Sequence, residues 1–306
     1  MPCERLSALR EALRERFPDM ALRERVPLSE CTTLRLGGPA DLMAEPSSPE
    51  ELRLTLAMAA EAGVPVMVLG RGSNVLFRDG GFRGLIVRVG RAMSAASVSG
   101  ERITAQAGAA LMSLSALAQR SGLAGLAFAC GIPGTIGGGL CMNAGAYGGE
   151  LKQVTALVRG CTMAGEPFEC AGEDCGFGYR TSRIKREGLI VTEAVLRLSP
   201  GDPEEIQAEM QRLLAARSEK QPLDLPSAGS TFKRPSQGYA AQLIDECGLK
   251  GLRVGGAEVS RKHAGFLVSR GGTAADFEQL MAQVADIVQR EKGIRLEPEV
   301  IIAGEN

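Results

Sequence analysis

Two glycine-rich stretches hold the residues whose types and spacing are best suited to chemistry. One is Gly70-Arg71-Gly72-Ser73-Asn74-Val75. The other, GIPGTIGGGLCMNAGAYGG from Gly131 to Gly149, has eight glycines in nineteen residues and no charge. Each glycine costs conformational entropy on folding. A flexible linker would be richer in Ser and would not carry Ile132, Ile136, Leu140 and Tyr147. The remaining use of Gly is close approach to the main chain. Neither stretch is a standard nucleotide motif: GxGxxG fails at Val75, and no GK[ST] ends the second. The turn at 70–74 presents consecutive N–H groups, with the Ser73 and Asn74 side chains, to a pyrophosphate. An ordinary tight turn accounts for the first stretch equally well, and a glycine-lined packing crossover for the second. Taken together, two such loops suit a long, diphosphate-linked cofactor lying across both.

Other chemistry is largely excluded. Ser230-Thr231-Phe232-Lys233 spells SxxK, the nucleophile pair of serine acylases, but neither Ser-Asp-Asn nor Lys-Thr-Gly occurs. That reading also needs Ser at a helix start, whereas Pro235 follows Arg234. The chain has one His and eight Cys, with no CxxC spacing, so no multi-His metal site can form. Cys170 and Cys175 are the closest pair, and the cysteines read as reduced, mostly buried thiols with no metal. Over 306 residues the formal net charge is −1, with 44% hydrophobic and 23% charged residues. This gives no general attraction to nucleic acid or to an anionic membrane. No apolar run reaches a membrane span, and the N-terminus reads as a charged amphipathic helix, not a signal peptide. The expectation is a cytoplasmic protein with no indicated protein partner.

Alternating elements must position these loops. Ser48-Pro49-Glu50-Glu51 supplies an N-cap, a first-turn Pro and two acids for a helix that carries Leu52, Leu56, Ala59 and Ala60 and ends at Gly63. VPVMVLG (64–70), GLIVRVG (84–90), ERITAQAG (101–108), TALVRGCT (155–162) and LIVTEAVLRL (189–198) read as strands. A helix at 111–121 closes at Gly122. The character changes near Pro200, where Asp202-Pro203 starts a helix with Ile206, Met210, Leu213 and Leu214 inward. Residues 221–238 read as irregular. Helices follow at 238–247 and 274–292, the latter capped by Thr273 with Phe277, Leu280, Met281, Val284, Ile287 and Val288 inward. EVIIAG is a final strand. The class is α+β, with a boundary around 200–205.

The ordered set TTLRLGGPA (32–40), LGRGSNVL (69–76), GIPGTIGGGLCMNAGAYG (131–148), GYRTS (178–182), AGSTFKRP (228–235), KHAGFLVS (262–269) and LEPEV (296–300) resembles the MurB family of UDP-N-acetylenolpyruvoylglucosamine reductases, flavoenzymes of peptidoglycan synthesis. The resemblance implies a vanillyl-alcohol-oxidase (PCMH) type fold. Its FAD-binding domain would comprise two subdomains, 1–90 and 91–203. A smaller α+β substrate-binding domain would follow at 204–295, with a strand at 296–306 returning to the first subdomain. FAD would bind non-covalently, since GRGSN lacks a His or Cys tether. It would lie across Gly70, Arg71, Gly72, Ser73, Asn74 and Val75, and across Ile132, Pro133, Gly134, Thr135, Gly137, Gly138, Asn143, Gly145, Ala146 and Tyr147.

The implied reaction passes hydride from NADPH through flavin N5 to the methylene carbon of UDP-N-acetylglucosamine enolpyruvate. Negative charge then develops on the adjacent carbon and its carboxylate. Arg180 in GYRTS matches the family's arginine, whose planar fork suits a carboxylate. Ser230 matches the proton donor. Glu299 matches the third catalytic residue, a hydrogen-bond donor when protonated beside a substrate carboxylate. Glu297 would share a face with Glu299 if the strand were regular. Tyr179, Lys220, Arg234 and His263 fall at substrate-binding positions, with Arg where some members have Asn and His where others have Gln. The segment after Arg180 is too short for the Tyr-bearing loop of some members, which implies the shorter subtype with a more open substrate pocket. Rival readings are an oxidase of a sugar or lactone on the same scaffold, and a flavin-binding module without catalysis. LEPEV and AGSTFKRP argue against the first, and intact Arg180, Ser230 and Glu299 against the second.

Overall fold

Ser48-Pro49-Glu50-Glu51 starts a helix as its residue types require. In the computed structural model, which describes residues 2–306 and side chains from residue 4 onward, Ser48 Oγ accepts the Glu51 N–H at 3.1 Å. The Cys3 side chain lies outside that description. The helix Pro49–Glu61 buries Leu52, Thr55, Leu56 and Ala59, and the chain turns at Gly63 with φ +62°. The strand Val66–Leu69 then pairs in parallel with Phe82–Arg88, Val66 opposite Leu85. Their sheet has the order Ala21–Pro27, Pro39–Glu45, Phe82–Arg88, Val66–Leu69.

The chain forms two units, each assembled from separated segments. The first comprises the residues up to Glu24, Leu42–Arg71 and Gly84–Ala216. The second comprises Arg25–Asp41, Gly72–Arg83 and Arg217–Asn306. The first glycine stretch is therefore divided after Arg71.

In the first unit, five antiparallel strands lie in the order Pro167–Ala171, Thr155–Cys161, Ile190–Arg197, Arg102–Gln106, Ala96–Ser99. Their inward residues, including Ile103, Val158 and Leu196, share one core with Leu52, Leu56, Leu85, Leu114, Ile136 and Leu140. Burying each such side chain is worth about 1.5–3 kcal/mol. The helix Leu111–Arg120 ends before Gly122 at φ +64°. The helix Pro203–Lys220 packs Ile206, Met210 and Leu213 against Cys130. Leu214 does not share that face: it is one helical step round from Leu213 and 40% exposed. Between Arg180 and this helix the chain forms only the short helix Arg183–Arg186 and two strands, with no additional loop.

In the second unit, an antiparallel sheet has the order Ser227–Ser230, Phe266–Ser269, Ala257–Val259, Arg253–Val254. Its core joins Val259 and Leu267 to Leu243 and Ile244 of the helix Ala240–Glu246, and to Phe277, Leu280 and Val284 of the helix Ala274–Lys292. Thr273 and Asp276 form a capping box, Asp79 accepts the Ala274 and Ala275 N–H groups at 2.9 and 3.0 Å, and Gly293 closes the helix at φ +69°. The strand Val75–Phe77 pairs in parallel with Ile301–Ala303. One segment expected to be irregular holds the strand Ser227–Ser230. The expected EVIIAG strand begins only at Ile301, so Glu297 and Glu299 precede it.

The seven cysteines at 31, 130, 141, 161, 170, 175 and 247 form no disulfide. Among the described residues no group of three metal-ligating side chains occurs, and no helix is long and apolar enough to cross a membrane.

Candidate active site

The second glycine stretch contains a short helix that its composition did not announce. Thr135 caps Ile136–Met142, its Oγ1 accepting the Gly138 N–H at 3.4 Å. A Cβ on Gly70 would lie 2.6 Å from that same Oγ1, so the start of the first stretch packs directly on the second. The glycines then divide by purpose. A Cβ on Gly139 would meet Leu151 at 2.8 Å, on Gly145 the Gly149 carbonyl at 2.6 Å, and on Gly149 the Phe128 ring at 2.4 Å. These three let the chain pack on itself. Gly137 is tight against Ala107 at 3.0 Å. Gly138 and Gly148 are open: the nearest atom to a Cβ is 3.6 Å away at Gly138, and none lies within 4 Å at Gly148. Ile132, Pro133 and Gly134 are half-buried on the approach to the helix.

Beyond the helix the chain makes a two-residue hairpin. Ala146 pairs with Gly149 across Tyr147 and Gly148, at φ +53° and +87°. Two positive φ values mark a type I′ turn, which suits the twist of the flanking strands. Tyr147 is 49% exposed. The hairpin presents Glu150 to Asn143, the left-handed cap of the helix at φ +44°. Asn143 is 2% exposed and its amide is fully used. Nδ2 donates to Glu150 Oε2 at 2.7 Å and to the Gly178 carbonyl at 3.1 Å, while Oδ1 accepts the Lys152 N–H at 3.0 Å.

Gly178 opens the turn that carries Tyr179 and Arg180. The Gly178 N–H donates to the Thr181 carbonyl at 2.9 Å, closing a second two-residue hairpin with Arg180 at φ +54°. A non-glycine residue there is uncommon and needs support. Ser182 Oγ donates to the Cys141 carbonyl at 2.8 Å, and Lys185 Nζ to the Arg180 carbonyl at 3.3 Å. The Arg180 guanidinium lies 5.5 Å from the Tyr179 ring centroid. Burial raises the Glu150 pKa, but hydrogen bonds from Lys152 and Asn143, with the charges of Lys152 and Arg180, bring it below the usual carboxylate value.

In the second unit, Gly72 at φ +61° lies so near the Cys31 carbonyl, 2.4 Å from a built Cβ, that no other residue fits. Ser73, half-buried, follows it. Asn74 Nδ2 donates to the Glu299 carbonyl at 3.2 Å, and the Asn74 carbonyl accepts the Ile301 N–H at 3.0 Å. The Glu299 N–H in turn donates to the Thr231 carbonyl at 2.8 Å, beside Ser230 at the end of its strand. Thr231, fully buried, is anchored on both sides: its N–H donates to the Gly265 carbonyl at 2.9 Å and its Oγ1 accepts the Leu267 N–H at 3.2 Å. Gly229 at φ +78° bulges the strand between the Ser227–Val268 and Ser230–Phe266 pairs. Glu297 and Glu299 therefore do not share a regular strand face. Glu297 is exposed and pairs with Lys233 at 3.1 Å.

His263 Nδ1 accepts the Gly265 N–H at 3.1 Å, so a neutral ring carries its proton on Nε2. Burial lowers its pKa. The Arg234 guanidinium stacks 4.3 Å from the Tyr239 ring centroid. Lys220 is exposed in the last turn of its helix. Asn74, Val75, Ser230, Glu299, Lys220, Arg234 and His263 thus belong to the second unit, while Gly70, Arg71, Thr135, Asn143, Tyr179 and Arg180 belong to the first. Sequence reasoning missed Glu150 and Thr231. Glu150 lies 28 residues before Gly178, and no local pattern links them.

Residues 40–171 match the FAD binding domain model, and residues 221–303 match the C-terminal domain of UDP-N-acetylenolpyruvoylglucosamine reductase. The chain is 46% identical over 298 residues to that reductase of Lactococcus lactis subsp. cremoris, covering 97% of this chain and 99% of the relative. It is also 46% identical to the Streptococcus pyogenes serotype M5 reductase, over 93% of this chain and 97% of the relative. The crystal structure of the Thermus caldophilus reductase superposes with a TM-score of 0.80 at 37% identity, over 92% of this chain and 99% of that one. The expected vanillyl-alcohol-oxidase-type α+β fold holds, and the chain belongs to the UDP-N-acetylenolpyruvoylglucosamine reductase family of FAD-dependent oxidoreductases.

Proposed function

We propose that this chain reduces UDP-N-acetylglucosamine enolpyruvate to UDP-N-acetylmuramate with NADPH, in the cytoplasm, during peptidoglycan precursor synthesis. The supporting observation is the hydrogen-bonded cluster Asn74–Glu299–Thr231, which ties a candidate cofactor loop to both candidate acids. When bound, FAD supplies hydride transfer from NADPH to the enolpyruvyl methylene carbon. The residues present fit such a group: the bare, exposed Gly138 and the tight Gly70–Thr135 contact offer main chain where a side chain would intrude. Gly70 to Val75, Ile132 to Thr135, Gly137, Gly138, Asn143 and Gly145 to Tyr147 would hold it. Residues 1–90 with 296–306, and 91–203, would form its domain, and 204–295 the substrate domain.

Arg180 would grip the substrate carboxylate with its planar fork, stabilising the charge that develops there. Ser230 Oγ would give its proton to the carbon adjacent to that carboxylate and recover one from solvent. A hydroxyl is a weak acid, but a carbanion is a far stronger base than an alkoxide. Glu299, protonated, would donate to the same developing charge. Tyr179 would flank the substrate, Lys220 would face its diphosphate, and Arg234 and His263 Nε2–H would offer further donors.

Purified protein should be yellow and release its flavin on denaturation. NADPH should bleach it without oxygen, and the enolpyruvyl sugar nucleotide should then restore the colour. Recolouring by oxygen but not by the sugar nucleotide would make it an oxidase. A colourless chain unable to take up FAD would end the reading.

A further inference from the structure

Glu150 has no part in the reaction as derived so far, yet it sits where the first unit holds Arg180. Two tight hairpins converge on Asn143. One, turned at Tyr147–Gly148, delivers Glu150 to Asn143 Nδ2; the other, turned at Tyr179–Arg180, delivers the Gly178 carbonyl to the same nitrogen. The Arg180 Nε is buried, and its charge is within electrostatic reach of the Glu150 carboxylate. Lys152 Nζ, 3.1 Å from Glu150 Oε2, is the competing cation, but its side chain is 47% exposed and free to turn to water. The Arg180 backbone is held in the left-handed region, with Lys185 Nζ on its carbonyl, which leaves the guanidinium to be oriented by the charges that face it.

We propose that Glu150 is a positioning residue: its negative charge, held by Asn143, sets the orientation of the Arg180 guanidinium. This rests on the role given to Arg180 above. Glu150 also caps the turn Leu151–Gln153, accepting a main-chain N–H while Gln153 accepts its own. A purely structural role would therefore need its oxygens and not its charge.

Glu150→Gln separates these, since a carboxamide oxygen can still accept from Asn143 and from the cap. The holoenzyme variant should melt at the wild-type temperature and be bleached by NADPH at the wild-type rate. Recolouring by the enolpyruvyl substrate should slow roughly tenfold or more, as a displaced catalytic group does. Glu150→Asp, which keeps the charge, should recover part of the rate. Adding Glu150→Gln to Arg180→Lys should slow recolouring no further. If Arg180→Lys alone recolours normally, the reading of Arg180 fails and this inference falls with it. If Arg180→Lys is slow but Glu150→Gln is normal, or if the two effects multiply, the positioning role alone is overturned. A lowered melting temperature or slowed bleaching in Glu150→Gln would make Glu150 structural and equally overturn it.

Discussion

The two units hold their candidate residues by different means. In the first, Arg180 sits in a strained turn clamped by side chains: Asn143 on the Gly178 carbonyl, Ser182 on Cys141, Lys185 on Arg180 itself. In the second, main-chain hydrogen bonds from Thr231 to Gly265 and from Glu299 to Thr231 hold the segments of Ser230 and Glu299, and the Asn74 and Thr231 side chains add to them. A side-chain clamp depends on single residues, whereas a ladder of amides survives most substitutions. The first unit should therefore be brittle to point changes around its site, and the second tolerant.

Asn143→Ala is the most damaging test of that contrast. It removes every bond of a 2%-exposed amide, leaves the Gly178 carbonyl only the 3.4 Å bond from the Thr181 N–H, and puts Ala in a left-handed conformation. The expected loss is about 3 kcal/mol, read by denaturant unfolding of the holoenzyme. A loss below about 1 kcal/mol would remove the clamp from the account. Glycine substitutions sharpen the same point. Gly149→Ala drives a Cβ to 2.4 Å from the Phe128 ring and should cost about 1–3 kcal/mol. Gly138→Ala, open in the structure, should leave stability within about 0.5 kcal/mol and weaken FAD uptake instead. Were both to behave alike, the division between packing and approach glycines would fail.

The second unit should yield smaller effects. Thr231→Val leaves only the Leu267 N–H without its acceptor, worth about 1–2 kcal/mol by the same unfolding measurement. His263 gives the smallest. Its folded pKa lies below the ordinary 6.5, so the unfolded chain binds the proton more readily. The resulting stability is present above about pH 6.5 and is lost as pH falls through the lowered value. His263→Gln should flatten the stability–pH curve in that window, and an unchanged slope would contradict the buried, neutral ring.

These differences also explain what was legible in the sequence. Helices announced by Ser48-Pro49 and by Thr273 formed where expected, because caps and apolar spacing are local signals. The strand Ser227–Ser230 was not, because Ser, Ala and Gly carry no strand preference and Gly229 bends it. Glu299 was reachable by resemblance, but its partners Thr231 and Asn74 are 68 and 225 residues away. Glycine composition marked close approach at 131–149 without saying to what. Part of the answer is Leu151 and Phe128, which only the folded chain reveals.

The most direct measurement is stopped-flow absorbance of Ser230→Ala, with bleaching by NADPH and recolouring by the enolpyruvyl substrate recorded separately. Bleaching protonates no substrate carbon and should run at the wild-type rate. Recolouring should slow on the order of 10²–10⁴-fold, the usual contribution of a general acid, well beyond the ~1 kcal/mol of one neutral hydrogen bond. Unchanged recolouring would pass the proton to water or to Glu299, and equal slowing of both phases would reduce Ser230 to a structural role; either result contradicts the account.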